Sequence, residues 1–521
     1  MPRDSHARVV RALAERGYNA DREAVTLLAG AEDTAAVIDR VAEAAPEDVL
    51  VLSADHVDAV LDPSAVSTDS STANPSVSRG DTVSDSEDVT DRSPGETGGS
   101  PQSRPSARAS DRSPDEATGS GSAGERMTVS GEFQSTGIGE YGDFLAVFRD
   151  RYERLADHLR GRVTHRPAET IREMSGGGDA GLIGMVADIR STSNGNWLVE
   201  LEDTTGRFPC LVTDGELAGE VRTLLHDEVI AVEGQLSDDA GILFVDSLYV
   251  PDVPRTNSPS TADRPVRAAL VSDVHVGSDQ FRADAWEAFA DWLHTEAAAD
   301  VEYLLIAGDM VEGIGVYPGQ NEELSIVDIY DQYERFSEHL KSVPGDLEIV
   351  MIPGNHDAIR LAEPQPAFDE RLRTIMRAHD ATISANPSTV TIEGVSVLMY
   401  HGVSLDELIA ELPDDRASYD RPAETMSQLL RKRHLAPQYG GSTRIAPEAE
   451  DHMIVDSVPD VFHAGHVHKL GYHRYNGVLS INSSCWQSQT DFQESVNLEP
   501  DVGYAPILDL QTLELTVRQF V

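Results

Sequence analysis

Five short apolar runs in the second half of the chain each break off into a polar, glycine-bearing cluster, and this recurrence limits the fold more than any other feature. "RAALVSD" runs into Asp273-Val274-His275, and "VEYLLIAGD" ends in Gly308-Asp309. "LEIVMIPGN" leads to Asn355-His356-Asp357, "VSVLMYHG" stops at His401-Gly402, and "DVFHAGHV" carries His466-Val467-His468. Near-continuous apolar runs suit strands covered on both faces, and helix-like stretches such as "DAWEAFADWLHTEA" and "SIVDIYDQYERFSEHLKSV" lie between the early ones. An α/β sheet builds its sites beyond the carboxyl ends of its strands, so the five clusters are expected to converge. One Gly-Asp pair or one histidine is ordinary turn material; five such clusters in succession predict a site.

The residue types define the chemistry. Carboxylates, imidazoles and one asparagine carbonyl, with no thiolate, suit Mn, Fe, Zn or Ni rather than a soft-ligand metal. Two cations about 3.5–4 Å apart need a shared ligand, and Asp309 is the natural bridging carboxylate; such a pair activates water and stabilises a phosphoryl oxygen. Gly277 reads as room for a substrate to approach. The order D-x-H, G-D, G-N-H-D, H-G, G-H-x-H resembles the calcineurin-like metallophosphoesterases, over residues 267 to about 490. That resemblance implies a two-sheet sandwich flanked by helices over 265–521 and two divalent metal ions, with Mn foremost. It implies that Asp273, His275, Asp309 and His468 hold one ion, and that Asp309, Asn355, His401 and His466 hold the other. His356 would act as general acid or transition-state stabiliser, and Asp357 would orient it. His463, inside the last run, reads as a buried or supporting histidine.

The first half is organised differently. Residues 1–62 read as a small helical domain: "HARVVRALAERG" sets Val9, Val10, Leu13 and Ala14 on one face, and "DREAVTLLAG" and "DTAAVIDRVAEAA" repeat the pattern behind Asp caps. Residues 63–135 are Ser, Asp, Thr, Pro, Gly and Arg with almost no large apolar side chains, which predicts an unstructured acidic linker. A connecting helix is expected within 136–170. Over 171–256, "GLIGMVADIRST", "NWLVELEDTTGRFPCLVT", "DEVIAVEGQLS" and "ILFVDSLYVPDVP" predict short strands, one pair a hairpin, closing into an OB-like β-barrel. Trp197, Phe208, Arg190 and Arg207 are its candidate contacts to single-stranded nucleic acid, and a purely structural barrel is an equal alternative.

Taken together, a helical unit, a linker, a barrel and a phosphoesterase-like domain resemble the small-subunit family of archaeal family D DNA polymerases, itself similar to the B subunits of eukaryotic replicative polymerases. "LLRKRHLAPQYGG" followed by "RIAPE", and "SDVHVGS", carry the likeness. The resemblance implies a large catalytic polymerase subunit as partner, DNA as substrate, and a 3′→5′ exonuclease that proofreads at single-stranded ends. The alternatives are a stand-alone phosphoesterase or repair nuclease, and a non-catalytic scaffold as in eukaryotic relatives that have lost the ligands. Here every ligand position is filled. Arg431, Lys432 and Arg433, beside His434, form the densest basic cluster, and three readings stand: a nucleic-acid contact, a contact to the large subunit, or a solvated helix end.

Composition bears on the partner question. Lys and Arg number 41 against 90 Asp and Glu, a net charge of −49, and only Lys341, Lys432 and Lys469 are lysines. The excess is spread along the chain, which suits the solvating surface of a halophile better than a tail for basic partners. At molar salt the Debye length is about 3 Å, so such a surface does not exclude DNA. Cys210 and Cys485 are far apart, with neither a disulfide framework nor a cysteine metal site in prospect. No run approaches the roughly 20 apolar residues of a membrane span, and a cytoplasmic protein without membrane partners is expected.

Overall fold

The computed structural model describes residues 126–521 except 134, 136–138, 140, 214 and 318, together with scattered positions between Val9 and Val60. Among the scattered positions, Val9, Leu13, Leu28, Ile38 and Val41 are helical and buried together, as the apolar spacing predicts. Of the expected linker, the stretch 63–125 lies outside the described residues.

A twenty-residue helix, α1 (Tyr141–Arg160), precedes the barrel. The barrel's strands are β2 (Asp179–Ser191), β3 (Trp197–Asp203), β4 (Gly206–Val212), β5 (Val229–Leu236) and β6 (Leu243–Tyr249), closed in the order β2-β3-β4-β6-β5. The hairpin is made where the sequence predicts it: Asp203 Oδ1 accepts from the N–H groups of Thr205 and Gly206, which turns the chain between β3 and β4. A bulge between Val186 and Asp188 bends β2 so that it pairs with β3 at one end and β5 at the other. Leu182, Val199, Leu201, Phe208, Cys210 and Val232 fill the interior. Phe208 is therefore a core residue, not a stacking platform, and Arg190 and Arg207 pair with Asp188 and with Glu200 and Glu202.

The remainder is two six-stranded sheets. The first has the order β10-β9-β8-β7-β16-β17: β7 (Arg267–Val271), β8 (Val301–Ala307), β9 (Glu348–Ile352) and β10 (Thr382–Ile383) are parallel, while β16 (Tyr504–Asp509) and β17 (Leu515–Gln519) add antiparallel edges. The second has the order β14-β15-β13-β12-β11-β1, from β1 (Met127–Ser130), β11 (Ser388–Ile392), β12 (Val395–Met399), β13 (Val461–Ala464), β14 (Leu470–Tyr475) and β15 (Val478–Ser483). Alternation along the strands explains the layering. In β7, Ala268 and Leu270 face Val390, Val397 and Ile481 of the other sheet, whereas Ala269 and Val271 face the helices α2 (Ala283–Leu293) and α3 (Ile329–Leu340). Trp286 sits fully in that outer layer and Trp292 packs on its margin, both as core residues. On the second sheet, Phe462 and Ala464 pack beneath α4 (Ser404–Glu411) and α5 (Pro422–Lys432).

One expectation is corrected here. The composition of 63–135 predicts linker throughout, yet Met127–Ser130 forms β1 and pairs antiparallel with β11. Its four residues alternate, placing Met127 and Val129 against the core between the sheets, a gain that the composition of the whole stretch conceals.

Candidate metal centre

The parallel strands β7, β8 and β9 and the second-sheet strands β12 and β13 all end on the same side, and each delivers its cluster there. The chain pays for the arrangement in backbone conformation: Asp273, His275, Asp309, His466 and His468 all have left-handed φ values between 52° and 71°. Left-handed backbone at non-glycine residues is uncommon and gathers at functional sites. At Gly308, φ is +91° and an added Cβ would meet the His401 ring 2.4 Å away, so only glycine lets β8 end this close to the site. Gly277 does not leave room for substrate: it lies against the Gln332 side chain, where a Cβ would stand 2.6 Å from it.

The side chains converge in three overlapping groups: Asp273 with His275 and His468; Asp273 with Asp309 and His401; and His275 with Glu312 and His356, the ligand atoms of each group lying within 4.8 Å of one another. His275 Nε2 is 3.0 Å from His468 Nε2, His468 Nε2 is 3.4 Å from Asp273 Oδ1, and His401 Nε2 is 3.2 Å from Asp309 Oδ2. Asn355 Oδ1 is 3.0 Å from His401 Nε2. Asp273, His275, Asp309 and His401 are at most 1% exposed. A cluster of three buried carboxylates and four imidazoles, with no lysine or arginine paired to those carboxylates among the described residues, is what a divalent cation neutralises, and its O and N donors fit a borderline or hard ion.

The imidazoles are oriented from behind. The Nδ1–H of His401 donates to Ala307 O at 2.8 Å, which leaves Nε2 facing Asp309. His275 Nδ1 lies 2.9 Å from Glu312 Oε2, a contact that is short but poorly aligned for a hydrogen bond. Burial lowers the His275 pKa and keeps the ring neutral, the form in which an imidazole can bind a metal. Burial alone would raise Glu312, but the contact with His275 outweighs it and brings its pKa to about 2. Gln487 and Gln320 also donate to the Glu312 carboxylate, at 2.7 and 3.0 Å. Gln493 Nε2 meets His468 Nδ1 at 2.9 Å. His466 stands beside His401 with ring centroids 5.3 Å apart, but its Nε2 is turned 3.0 Å from Asp406 Oδ2, outside the three compact groups.

His356 flanks the cluster. Its N–H donates to Asp309 Oδ1, its ring meets His275 edge-on at 4.8 Å, and its Nδ1–H donates to Glu312 O at 2.8 Å. Asp357, expected to orient it, does something else: it accepts from Gly354 N at 2.9 Å and from the Tyr333 hydroxyl at 2.9 Å, pinning the loop. Burial and then the Asp309 charge raise the Asp357 pKa to about 7. His463 is buried as expected, its Nε2 2.9 Å from Ser483 Oγ, and burial lowers its pKa to about 3.

Residues 268–470 match the family model for the B subunit of DNA polymerase alpha/epsilon. The chain is also 61% identical over 525 residues, covering 100% of both chains, to a DNA polymerase II small subunit of Halobacterium salinarum. It belongs to the small-subunit family of archaeal DNA polymerase II, family D. Small subunits of Archaeoglobus fulgidus (43% identity, 70% of this chain and 74% of theirs) and Methanothermobacter thermautotrophicus (40%, 72% and 79%) agree. A solved archaeal phosphodiesterase superposes with a TM-score of 0.26 at 14% identity, covering 49% of this chain and 99% of that one, too loosely to carry an argument. As a polymerase small subunit the chain implies a large catalytic subunit, and among the described residues no helix is long and apolar enough to cross a membrane.

The basic cluster of this small subunit requires correction. Lys432 and Arg433 are 4% and 3% exposed and lie at the junction with the barrel. Lys432 Nζ donates to Thr223 O at 2.6 Å and pairs with the buried Glu228; Arg431 pairs with Glu220. Arg433 donates to the carbonyls of Val455 and Asp456. Arg431 and Lys432 are consumed in holding the barrel to the sheets and Arg433 in fixing the loop before β13, so the three do not form a phosphate-binding patch.

Proposed function

We propose that this small subunit carries a dinuclear-metal 3′→5′ exonuclease that proofreads for the polymerase by hydrolysing DNA phosphodiesters, preferentially at single-stranded ends. The observation that supports it is the meeting of five sequence-distant loops in one buried cluster of O and N donors. Asp273, His275, Asp309 and His468 would hold one ion and Asp309, Asn355, His401 and His466 the other, with His466 offering Nδ1 because Nε2 is engaged by Asp406. Divalent ions there, Mn²⁺ foremost, would supply Lewis acidity toward the phosphoryl group and acidify the attacking water. His356 does the proton work: Nδ1–H is fixed on Glu312 O, and in the imidazolium form the second N–H, on Nε2, can be given to the leaving oxygen or to the phosphoryl group. Burial keeps His275 neutral, Glu312 holds that ring in register, and Asp357 holds the His356 loop against Tyr333.

The test is an end-label assay of the full chain, with and without its large subunit, on 3′- and 5′-labelled single-stranded DNA in Mn²⁺ and high salt. Mononucleotides released from the 3′ end, and lost in Asp309→Ala while subunit association persists, are the expected result. Hydrolysis of simple phosphate esters without nucleotide release would overturn the proofreading assignment, and nuclease activity persisting in Asp309→Ala would overturn the two-metal mechanism.

A further inference from the structure

Beside the centre stands a pair of rings that no step above employs. Phe492 is 46% exposed although it is a large apolar side chain, and it stacks on Tyr317 with centroids 5.1 Å apart and planes 27° from parallel. Tyr317 in turn lies 6.2 Å, centroid to centroid, from the His356 ring. The pair is built into the site rather than set loosely on the surface. The Tyr317 hydroxyl donates to Glu312 Oε1 at 3.2 Å, on the same carboxylate that faces His275. Phe492 sits on a short helix, α6 (Asp491–Ser495), fastened at its start by the reciprocal Thr490–Gln493 cap. The next residue along that helix, Gln493, touches His468. One element thus steadies a candidate metal ligand and holds an aromatic face out to solvent next door.

From this geometry we infer that Tyr317 and Phe492 form a ledge on which the terminal base of single-stranded nucleic acid stacks, placing its phosphodiester over the metal centre. The inference rests on the exonuclease reading and adds a substrate preference to it. Every base has a π-face, so the ledge grips any terminal nucleotide without reading sequence. Glu312, Glu323 and Asp491 surround it, so the grip comes from stacking and not from phosphate pairing, and it persists at high salt, where charge contacts are screened. Seating a paired terminal nucleotide alone on the ledge costs its base pair and its stacking on the next pair, a cost least for frayed, mismatched ends.

Two readouts on the full chain assembled with its large subunit test this. In the first, an oligonucleotide carrying 2-aminopurine at its 3′ end is bound without hydrolysis in Ca²⁺; quenching is expected with the wild type and with Phe492→Trp, and is lost in Phe492→Ala. In the second, cleavage is compared between a normal and an abasic 3′ end. The wild type is expected to favour the base by about tenfold and Phe492→Ala to favour neither. Equal quenching in Phe492→Ala, or an undiminished base preference there, overturns the ledge. If no nucleotide is released at all, the exonuclease reading fails while the fluorescence still decides the ledge: quenching by the wild type and by Phe492→Trp but not by Phe492→Ala sustains it, and its absence in the wild type rejects it.

Discussion

Asp309 is the residue on which most of the site turns: its two oxygens face His401 and the N–H of His356, and it ends β8 in a left-handed conformation that a β-strand does not ordinarily reach. Its carboxyl is held well below the usual range, because the surrounding imidazoles of His401 and His356 outweigh the penalty of burial. Glu312 is the counterpart that no motif announces. The candidate ligands are legible because D-x-H, G-N-H-D and G-H-x-H mark them, whereas Glu312, Gln487 and Gln493 are single residues in no pattern, brought in by loops whose course is set by packing. If Glu312 orients His275, Glu312→Gln weakens Mn²⁺ binding about 10–100-fold, measured by calorimetric titration. His356→Ala is expected to lower kcat by about 10²–10⁴-fold while the chain still binds its metal, as stopped assays at saturating DNA would report. An unchanged kcat would remove His356 from the proton chemistry. Asp357 shows the opposite failing of motif reading: its place in the site is legible, and its contacts, to Gly354 and Tyr333 instead of to His356, are not legible from adjacency.

Helix α1 illustrates what joins one element to the rest. Its amphipathic pattern announces a helix, and the structure has one from Tyr141 to Arg160, but nothing in the pattern says what it docks on. The anchor is Arg151, fully buried, whose Nε donates to Asp451 at 2.7 Å and whose Nη1 donates to Pro437 O at 2.7 Å, with His434 on the same carboxylate at 2.9 Å. Burial alone would raise the Asp451 pKa, yet Arg151 and His434 outweigh it and hold it far below normal. A depressed folded pKa means that the stabilisation is present above the unfolded value of about 4 and is lost as pH falls below it. Asp451→Asn should therefore cost about 3–5 kcal/mol at pH 7, because it strands a buried guanidinium. Denaturant midpoints should show the gap between variant and wild type closing as the pH drops beneath about 4. A gap independent of pH would mean that packing, not the ion pair, holds the helix. Strand β1 makes the same point about neighbours: four residues of a low-complexity stretch become a sheet edge only because β11 offers one.

At the scale of the molecule, the barrel and the two sheets are held together by the cluster that most resembles a DNA contact in sequence. Lys432 reaches across to Glu228 and Thr223, and burial lowers its pKa despite that partner. Lys432→Met is expected to destabilise the chain by about 3–5 kcal/mol in thermal unfolding, since Glu228 is left buried and unpaired. The salt dependence of DNA binding should not change, because no phosphate contact is lost; a shallower salt slope would restore the nucleic-acid reading. The architecture itself is readable: barrel strands from their turns, and buried sheets from unbroken apolar runs. Which cations face water is not readable, since burial is decided by tertiary contacts hundreds of residues away. With a net charge of −49 the molecule must also live with its own repulsion. The most direct measurement is a Mn²⁺ titration of the metal-stripped chain, following bound metal and nucleotide release from 3′-labelled single-stranded DNA together. Two ions per chain, with cleavage returning as the second site fills and neither event intact in Asp309→Ala, is the predicted result; cleavage without metal, or full metal binding by Asp309→Ala, would contradict it.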